Sequence, residues 1–512
     1  MKKLFTVILA SVLSCSVYAQ WASDALMIAQ NEYEGSARTI AMGNAFTALG
    51  GDLGAITINP ASSGLYWYTA FGISPEVISS GTQTTYLGTP FNDYDVRGAL
   101  SNVGFVLPIY QNSHGKPFQI NFGFTMNRIK SFDTSISAQG TTANASMLGS
   151  IAASLENVPP ADLAADGTYD PYYDSYLPWL GILAWDTYGI NPRTDVDNHS
   201  YLAATEYIGN DGYPHSAGSL YNYFESRATG GIRETSINMG LNFGDRLFLG
   251  VNANIHNVNY SLEEYFNEVR VGQPKVDNGF SSMTANYWQI TEGSGFNLKI
   301  GAIYALSERL RLGATLTTPT WYSLTDSWQR DMFTVADGNS VSSQTPLGTS
   351  TYQVNAPGRF SVGAAYVGRS SIFSLDYEHV DYSTMTMADI DGRPADFADA
   401  NDAISNGLVS AGIIRAGGEY WLGNTAFRAG YTLYTDPGML NGYSYAERDY
   451  VSCGLGFLLG DSITLDFGYQ GLLSANGYSF SCYDDYDDIE APLISVDRER
   501  YHKFVFSFGF RF

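Results

Sequence analysis

The final stretch of the chain, YHKFVFSFGFRF at residues 501–512, alternates without a break. His502, Phe504, Phe506, Phe508, Phe510 and Phe512 fall on one face of a strand. Tyr501, Lys503, Val505, Ser507, Gly509 and Arg511 fall on the other. A soluble protein would have to cover the phenyl face with another layer, as an edge strand of a sandwich does. A transmembrane β-barrel turns that face to lipid and the small or charged face to a wet lumen. Residues 462–473 repeat the pattern: Ile463, Leu465, Phe467, Tyr469 and Leu473 oppose Ser462, Thr464, Asp466, Gly468 and Gln470. So do 373–378, where Phe373, Leu375 and Tyr377 alternate with Ser374, Asp376 and Glu378. A charge at every second position is costly beside lipid and cheap in water.

Read this way, strands fall near 66–80, 101–110, 118–133, 233–244, 246–264, 282–306, 308–329, 352–367, 370–387, 411–422, 424–436, 448–460, 462–476 and 500–512. That is an all-β fold, a 14-stranded antiparallel transmembrane β-barrel with an even strand count. The connections sort by length. Short turns fall at Gly244-Asp245, Ser307-Glu308, Gly368 to Ser370, Gly423-Asn424 and Gly460-Asp461, and the Gly, Asn and Asp among them tolerate the positive φ of tight hairpins. Long connections lie at 134–232, 265–281, 330–351, 388–410, 437–447 and 477–499. Short periplasmic turns and long outer loops are the barrel arrangement.

Two regions are not barrel. The insertion 134–232 is Pro-containing, with an Ala-rich part at 141–166 suited to a short helix over the mouth. Residues 20–65 precede the first strand and are too apolar for a free tail, which points to a plug inside the lumen, with Gly50-Gly51-Asp52 ending a helix. The domain reading is therefore a signal peptide at 1–19, a plug at 20–65 and a barrel at 66–512. Lys2 and Lys3, the apolar run Leu4 to Leu13 and Val17-Tyr18-Ala19 before Gln20 make the signal peptide. Val12-Leu13-Ser14-Cys15 is a poor lipobox, because Leu13 is large.

Composition narrows the function. The formal charge is −24, or −26 once Lys2 and Lys3 leave with the signal peptide, so nucleic acid is repelled. With 37 Tyr, 28 Phe and 53 Gly, the composition suits aromatic girdles and close strand packing. Cys453 and Cys482 remain in the mature chain and make no disulfide scaffold; whether they pair is open. No Gly-x-Ser-x-Gly elbow occurs, and the histidines (114, 199, 215, 256, 379, 502) are scattered, with His379 near Asp376 and Asp381 the only local cluster. The chain is read as no enzyme and as needing no cofactor. Acidic stretches at 389–402 and 484–490 are solvated loops or sites for cations that bridge lipopolysaccharide.

The stretch GSARTIAMGNAFTALGGDLGAITINPASSGL (35–65) resembles the N-terminal hatch of the FadL/TodX family, outer-membrane transporters of long-chain fatty acids and other hydrophobic compounds. The matching features are Gly43-Asn44, Asp52 and the triplet Asn59-Pro60-Ala61. FNLKIGAIYALSERLRLGATLTTPTWYSL (296–324), NAPGRFSVGAAY (355–366) with SLDYEHVDYSTM (374–385), and RAGGEYWLGNTAFRAGYTLYTDPG (415–438) resemble the family's hairpins. The insertion matches only in position. The resemblance implies a monomer in the outer membrane of a Gram-negative bacterium, inserted by the barrel assembly machinery through a terminal signal of the Phe508, Phe510, Phe512 kind. It implies partners that are hydrophobic small molecules, with outer-membrane lipids and lipopolysaccharide around the barrel. It also implies passive uptake gated by a hatch shift, with a kinked strand as a lateral exit.

Within that frame Asn59 is expected to anchor the hatch turn by its amide, and Arg38 to meet either a ligand carboxylate or a lumen Asp. Arg128 and Lys130, on one face by period two, either hold an anionic head group or pair across the barrel. The rival reading is a FadL-like barrel that binds or shuttles a partner protein in secretion or surface assembly; a general porin is disfavoured by the plug.

Overall fold

The computed structural model describes residues 22–112, 117–196, 199–440, 443–444, 447–475 and 477–512. The signal-peptide reading and His114 lie outside them. The described residues close into a 14-strand antiparallel barrel. In chain order the strands are β1 (Ala70–Tyr86), β2 (Thr89–Asn112), β3 (Phe118–Ser131, resuming as Thr134–Thr142), β4 (Ser219–Phe243), β5 (Leu247–Val271), β6 (Phe280–Ala305) and β7 (Leu310–Thr317 with Thr320–Ala336). They continue as β8 (Gly348–Ala356 with Arg359–Val367), β9 (Ser371–Asp381 with Thr386–Asp389), β10 (Ser410–Leu422), β11 (Thr425–Tyr434), β12 (Arg448–Leu459), β13 (Ile463–Ala475) and β14 (Leu493–Arg511). Each pairs with the next, and β14 closes on β1 through Phe510↔Phe71 and its neighbours.

The alternation sets the two faces. Phe504, Phe506 and Phe508 are 45, 38 and 43% exposed, whereas Lys503, Val505 and Ser507 between them are 2, 1 and 8% exposed. Outward residues of the other strands, such as Ile237, Ile255, Phe296, Leu312, Phe360, Leu375 and Phe467, are likewise exposed and apolar. A continuous belt of this kind fits lipid, not water. No helix among the described residues is long and apolar enough to cross a membrane. At one end, tight turns use positive φ at Gly244 (64°), Asp245 (55°), Gly423 (61°) and Gly460 (64°). The long loops gather at the other end.

Several boundaries differ from expectation: β5 runs on to Val271 and β7 to Ala336, and β14 already begins at Leu493. The first hairpin was expected at 66–80 and 101–110 but runs on to a turn at Leu87-Gly88. Gly81 to Thr85 carry no apolar face, which hid the continuation, although Tyr94 and Val96 alternate with Asp93, Asp95 and Arg97 on the return strand. The insertion is also narrower: 134–142 and 219–232 are strand, leaving 143–218 as a cap. Its helices are α4 (Met147–Ser154), α5 (Pro160–Leu163), α6 (Pro171–Asp174) and α7 (Trp179–Asp186). Met147, Leu148, Ile182 and Leu183 form one core with Phe224, Phe266, Met283 and Phe480 of the barrel rim. Glu268 of β5 seats α4 by accepting from Ser146 Oγ and Met147 N, both at 2.9 Å.

Candidate luminal site

Residues 22–65 run through the lumen from the loop end to the turn end. They form α1 (Ala22–Ala29), α2 (Ala37–Ala41), α3 (Ala55–Ile58) and a 3-10 turn at Pro60–Leu65. Barrel side chains hold their backbone all round. Ser101 of β2 donates to Gly35 O (2.7 Å), Asn238 of β4 to Pro60 O (3.0 Å), Asn252 of β5 to Ile56 O (2.9 Å), and Arg311 of β7 to Leu49 O (2.8 Å). Thr432 of β11 donates to Gly43 O (2.9 Å), and Ser507 of β14 accepts from Ala37 N (2.7 Å). This satisfies an irregular backbone where water is scarce.

The close fit requires glycine on the barrel wall. A Cβ at Gly250 would lie 2.2 Å from Pro60 C, at Gly313 2.0 Å from Thr47 O, at Gly417 2.4 Å from Met42 O, and at Gly430 2.2 Å from Gly43 N. Gly240, Gly301, Gly454 and Gly468 face the segment with similar intimacy. The wall is thus a collar of bare backbone cast around the segment.

The residues singled out by sequence take these places. Gly43 and Asn44 both adopt positive φ (61° and 59°), and Asn44 Nδ2 donates to Tyr33 O at 2.6 Å. Asn59 donates to Thr47 O (2.6 Å) and Ala302 O (3.2 Å), and its Oδ1 accepts from Ala61 N (3.0 Å), so one amide ties the turn to both segment and wall. Ala61 is fully buried. Asp52 Oδ1 accepts from Ser36 Oγ (2.7 Å) and Gly54 N (2.9 Å). Arg38 meets a lumen carboxylate, but it is Glu419, at 2.8 Å, shared with Arg428. Lys130 binds Glu32 of the segment at 2.7 Å. Arg128 pairs with Glu76 (3.2 Å) and Asp133 (2.7 Å). Lys130 is thus tied to the luminal segment, and Arg128 to its own strand and to β1. Phe508, Phe510 and Phe512 sit at the turn end of the closing strand, Phe510 tilted against Phe71 at 6.3 Å.

Near Arg128 the wall itself is broken. β2 and β3 share a ladder only up to Asn102↔Asn127. Beyond that β3 interrupts at Phe132 and Asp133, then continues along β4 alone. Gly230 (φ 108°) receives Phe132 N and Arg128 Nη2 on its carbonyl. Arg128 thus clasps the kink.

Sequence reasoning missed the main cationic group. Arg359 and Arg415 bracket Glu378 at 2.8 and 3.1 Å, and Arg359 also donates to Ala29 O at 2.6 Å. Lys299 donates to Thr57 O. The Tyr33 ring lies 5.0 Å from Lys299 Nζ and 5.1 Å from Arg415 Cζ, within cation–π range. Arg415 is fully buried, and its Nε and Nη2 have no hydrogen-bond partner. Above this group lies an apolar throat: α1 packed among Tyr322, Leu324, Tyr352, Val354 and Val380 of the wall, and Met385, Phe397 and Ile404 of an outer loop. The alternation in β9 marked Glu378 as lumen-facing; nothing in one sequence says which cation meets it.

The two acidic stretches do not converge. Arg393 pairs with Asp389 and Asp391 at 2.8 Å, and among the described residues no cluster of three His, Cys, Asp or Glu is placed to hold a metal ion. His379 faces outward while Asp376 faces the lumen, where it accepts from Thr47 N at 2.7 Å. Cys453 is exposed on β12 and Cys482 is buried beyond β13; both are free.

A closed barrel with an apolar outer belt has the build of an outer-membrane β-barrel. Solved structures share this build. A FadL homologue from Pseudomonas aeruginosa is 10% identical, with 94% of this chain and 99% of that chain covered and a TM-score of 0.52. The toluene transporter TodX of P. putida is 12% identical, with 94% and 99% covered and a TM-score of 0.51. The chain has the FadL/TodX-type fold. No family model matches the sequence, and no curated protein matches it.

Proposed function

We propose that this chain carries hydrophobic compounds inward across the outer membrane, and that long-chain amphiphiles with an anionic head, fatty acids among them, fit it best. One observation carries the reading: the apolar throat around α1 ends on Arg359, Arg415 and Lys299, where Arg415 keeps two buried N–H groups unsatisfied. A buried, unsatisfied guanidinium costs free energy that an incoming carboxylate recovers. Each methylene buried in the throat adds about 0.8 kcal/mol. α1 occupies that throat, so a ligand must displace it. Residues 20–65 act as the hatch, with Asn59-Pro60-Ala61 as its anchored turn and Gly43-Asn44 and Asp52 as its bends. The interruption of β3 at Phe132-Asp133 supports a lateral exit toward lipid, with Arg128 as its clasp.

The test is entry of a fluorescent long-chain fatty acid and of an uncharged hydrocarbon analogue into proteoliposomes. Wild type speeds both. Arg415→Met removes charge-assisted hydrogen bonds of about 1.5–3 kcal/mol, so the acid loses roughly ten- to a hundredfold in affinity while the hydrocarbon is little changed. Wild-type protein that speeds neither over empty liposomes overturns the proposal.

A further inference from the structure

The outer wall carries a polar dent. A cavity of about 420 Å³ opens on the lipid side of β5, β6 and β7, and its outward side chains are Asn257, Asn259, Glu292, Ser294, Ser323 and Thr325. Cross-strand register gives its depth. The row Ile255↔Phe296↔Trp321 is apolar, with Phe296 and Trp321 42 and 50% exposed at the edge of the belt. The next row up is Asn257↔Ser294↔Ser323, and the next Asn259↔Glu292↔Thr325. Two residues of strand rise about 7 Å, which at a tilt of about 40° is roughly 5 Å along the membrane normal. The dent therefore begins where acyl chains give way to head groups, on the loop side of an aromatic girdle.

Its hollow comes from missing bulk. The outward side chains of β6 and β7 are short here, Ser294, Ser323 and Thr325, where the row below carries Phe296 and Trp321. Gly231, opposite Asn259 on β4, offers no side chain to fill the flank. The lining holds two amides, three hydroxyls and one carboxylate. Asn259 Nδ2 already points to Glu292 Oε1 at 3.4 Å. Arg233 stands opposite Asn257 in the neighbouring strand. Amides, hydroxyls and a carboxylate suit a ligand rich in hydroxyl groups.

We propose that this dent binds the saccharide head group of an outer-leaflet glycolipid whose acyl chains lie on the belt below, against Ile255, Phe296 and Trp321. The bound lipid fixes the depth and orientation of the barrel; this site is independent of the luminal pathway.

The experiment is native mass spectrometry of detergent-purified protein titrated with three probes: rough lipopolysaccharide, its deacylated saccharide, and phosphatidylethanolamine. Wild type is expected to retain one rough lipopolysaccharide molecule. Asn257→Leu/Ser294→Leu and, separately, Glu292→Ala are expected to weaken that retention at least tenfold. Both variants keep heat-modifiable migration on gels and wild-type fatty-acid entry, which shows a folded barrel. Equal retention by wild type and both folded variants overturns the proposal, as does equal retention of phosphatidylethanolamine. Equal binding of the deacylated saccharide overturns the lipid assignment in favour of a soluble glycan.

Discussion

The glycine collar makes a sharp prediction about what keeps the lumen shut. Gly417 and Gly430 lie opposite each other on β10 and β11, and each is also held on its far side, by Ser374 and Ser452. A methyl group at either would stand 2.4 Å from Met42 O or 2.2 Å from Gly43 N. Ordinary contacts need about 3.5 Å, so the double variant Gly417→Ala/Gly430→Ala demands a separation of more than about 1 Å. The wall cannot recede, because its ladder is bonded on both sides. The segment must move instead. Overpacking costs about 1–3 kcal/mol per site, and displacement of the segment is the one way to relieve it. In planar bilayers wild type is expected to be electrically quiet and the double variant to show open events. The control is Gly98→Ala, whose Cβ would find its nearest neighbour, Glu76 O, at 3.9 Å. A folded double variant as quiet as wild type, or a Gly98→Ala variant that opens equally, refutes the collar argument.

Two pH dependences follow from groups outside the fourteen barrel strands. Burial pushes the Glu206 carboxyl in the cap up to about 7, its bond from Ala203 N offsetting only part. A raised carboxylate favours the folded cap below the ordinary value near 4.5, and that advantage is lost as pH rises through 7; hydrogen exchange over 143–218 should quicken across that window, and Glu206→Gln should reduce the change. Glu32 behaves oppositely. Burial alone would raise it, but Lys130 and then Arg448 more than offset this and hold it at about 2. The stability it lends the segment is present above 4.5 and lost as pH falls toward 2. Conductance should therefore appear on acidification, and Lys130→Met should bring it at neutral pH; a Lys130→Met barrel that stays shut at pH 7 contradicts the link.

The barrel was legible because lipid imposes a period-two rule on every strand that crosses it. All fourteen crossings were read, and β14 shows why: Phe504 to Phe508 face out, and Lys503 and Ser507 face in, where they bind Glu34 at 2.7 Å and Ala37 N at 2.7 Å. The rule fails where lipid ends. Residues 81–85 carry no apolar face, and 219–232 bury Leu220, Phe224 and Ile232 in the cap and the lumen instead of turning them to lipid. The loop end was legible only as length and composition.

Sequence by itself determined which side chains face lipid and which face the lumen, where the tight turns fall, and that 20–65 was too apolar to be left in water. Each of these depends on a residue's own chemistry and its near neighbours. Only the tertiary structure decided that Arg38 meets Glu419 across 381 positions, that Lys130 serves the segment, and that Arg415 is left with two buried N–H groups. The partner of a lumen charge is set by barrel closure, which brings together strands far apart in the chain. The same closure turned scattered glycines into a collar, because their common height appears only once the register of every strand is set.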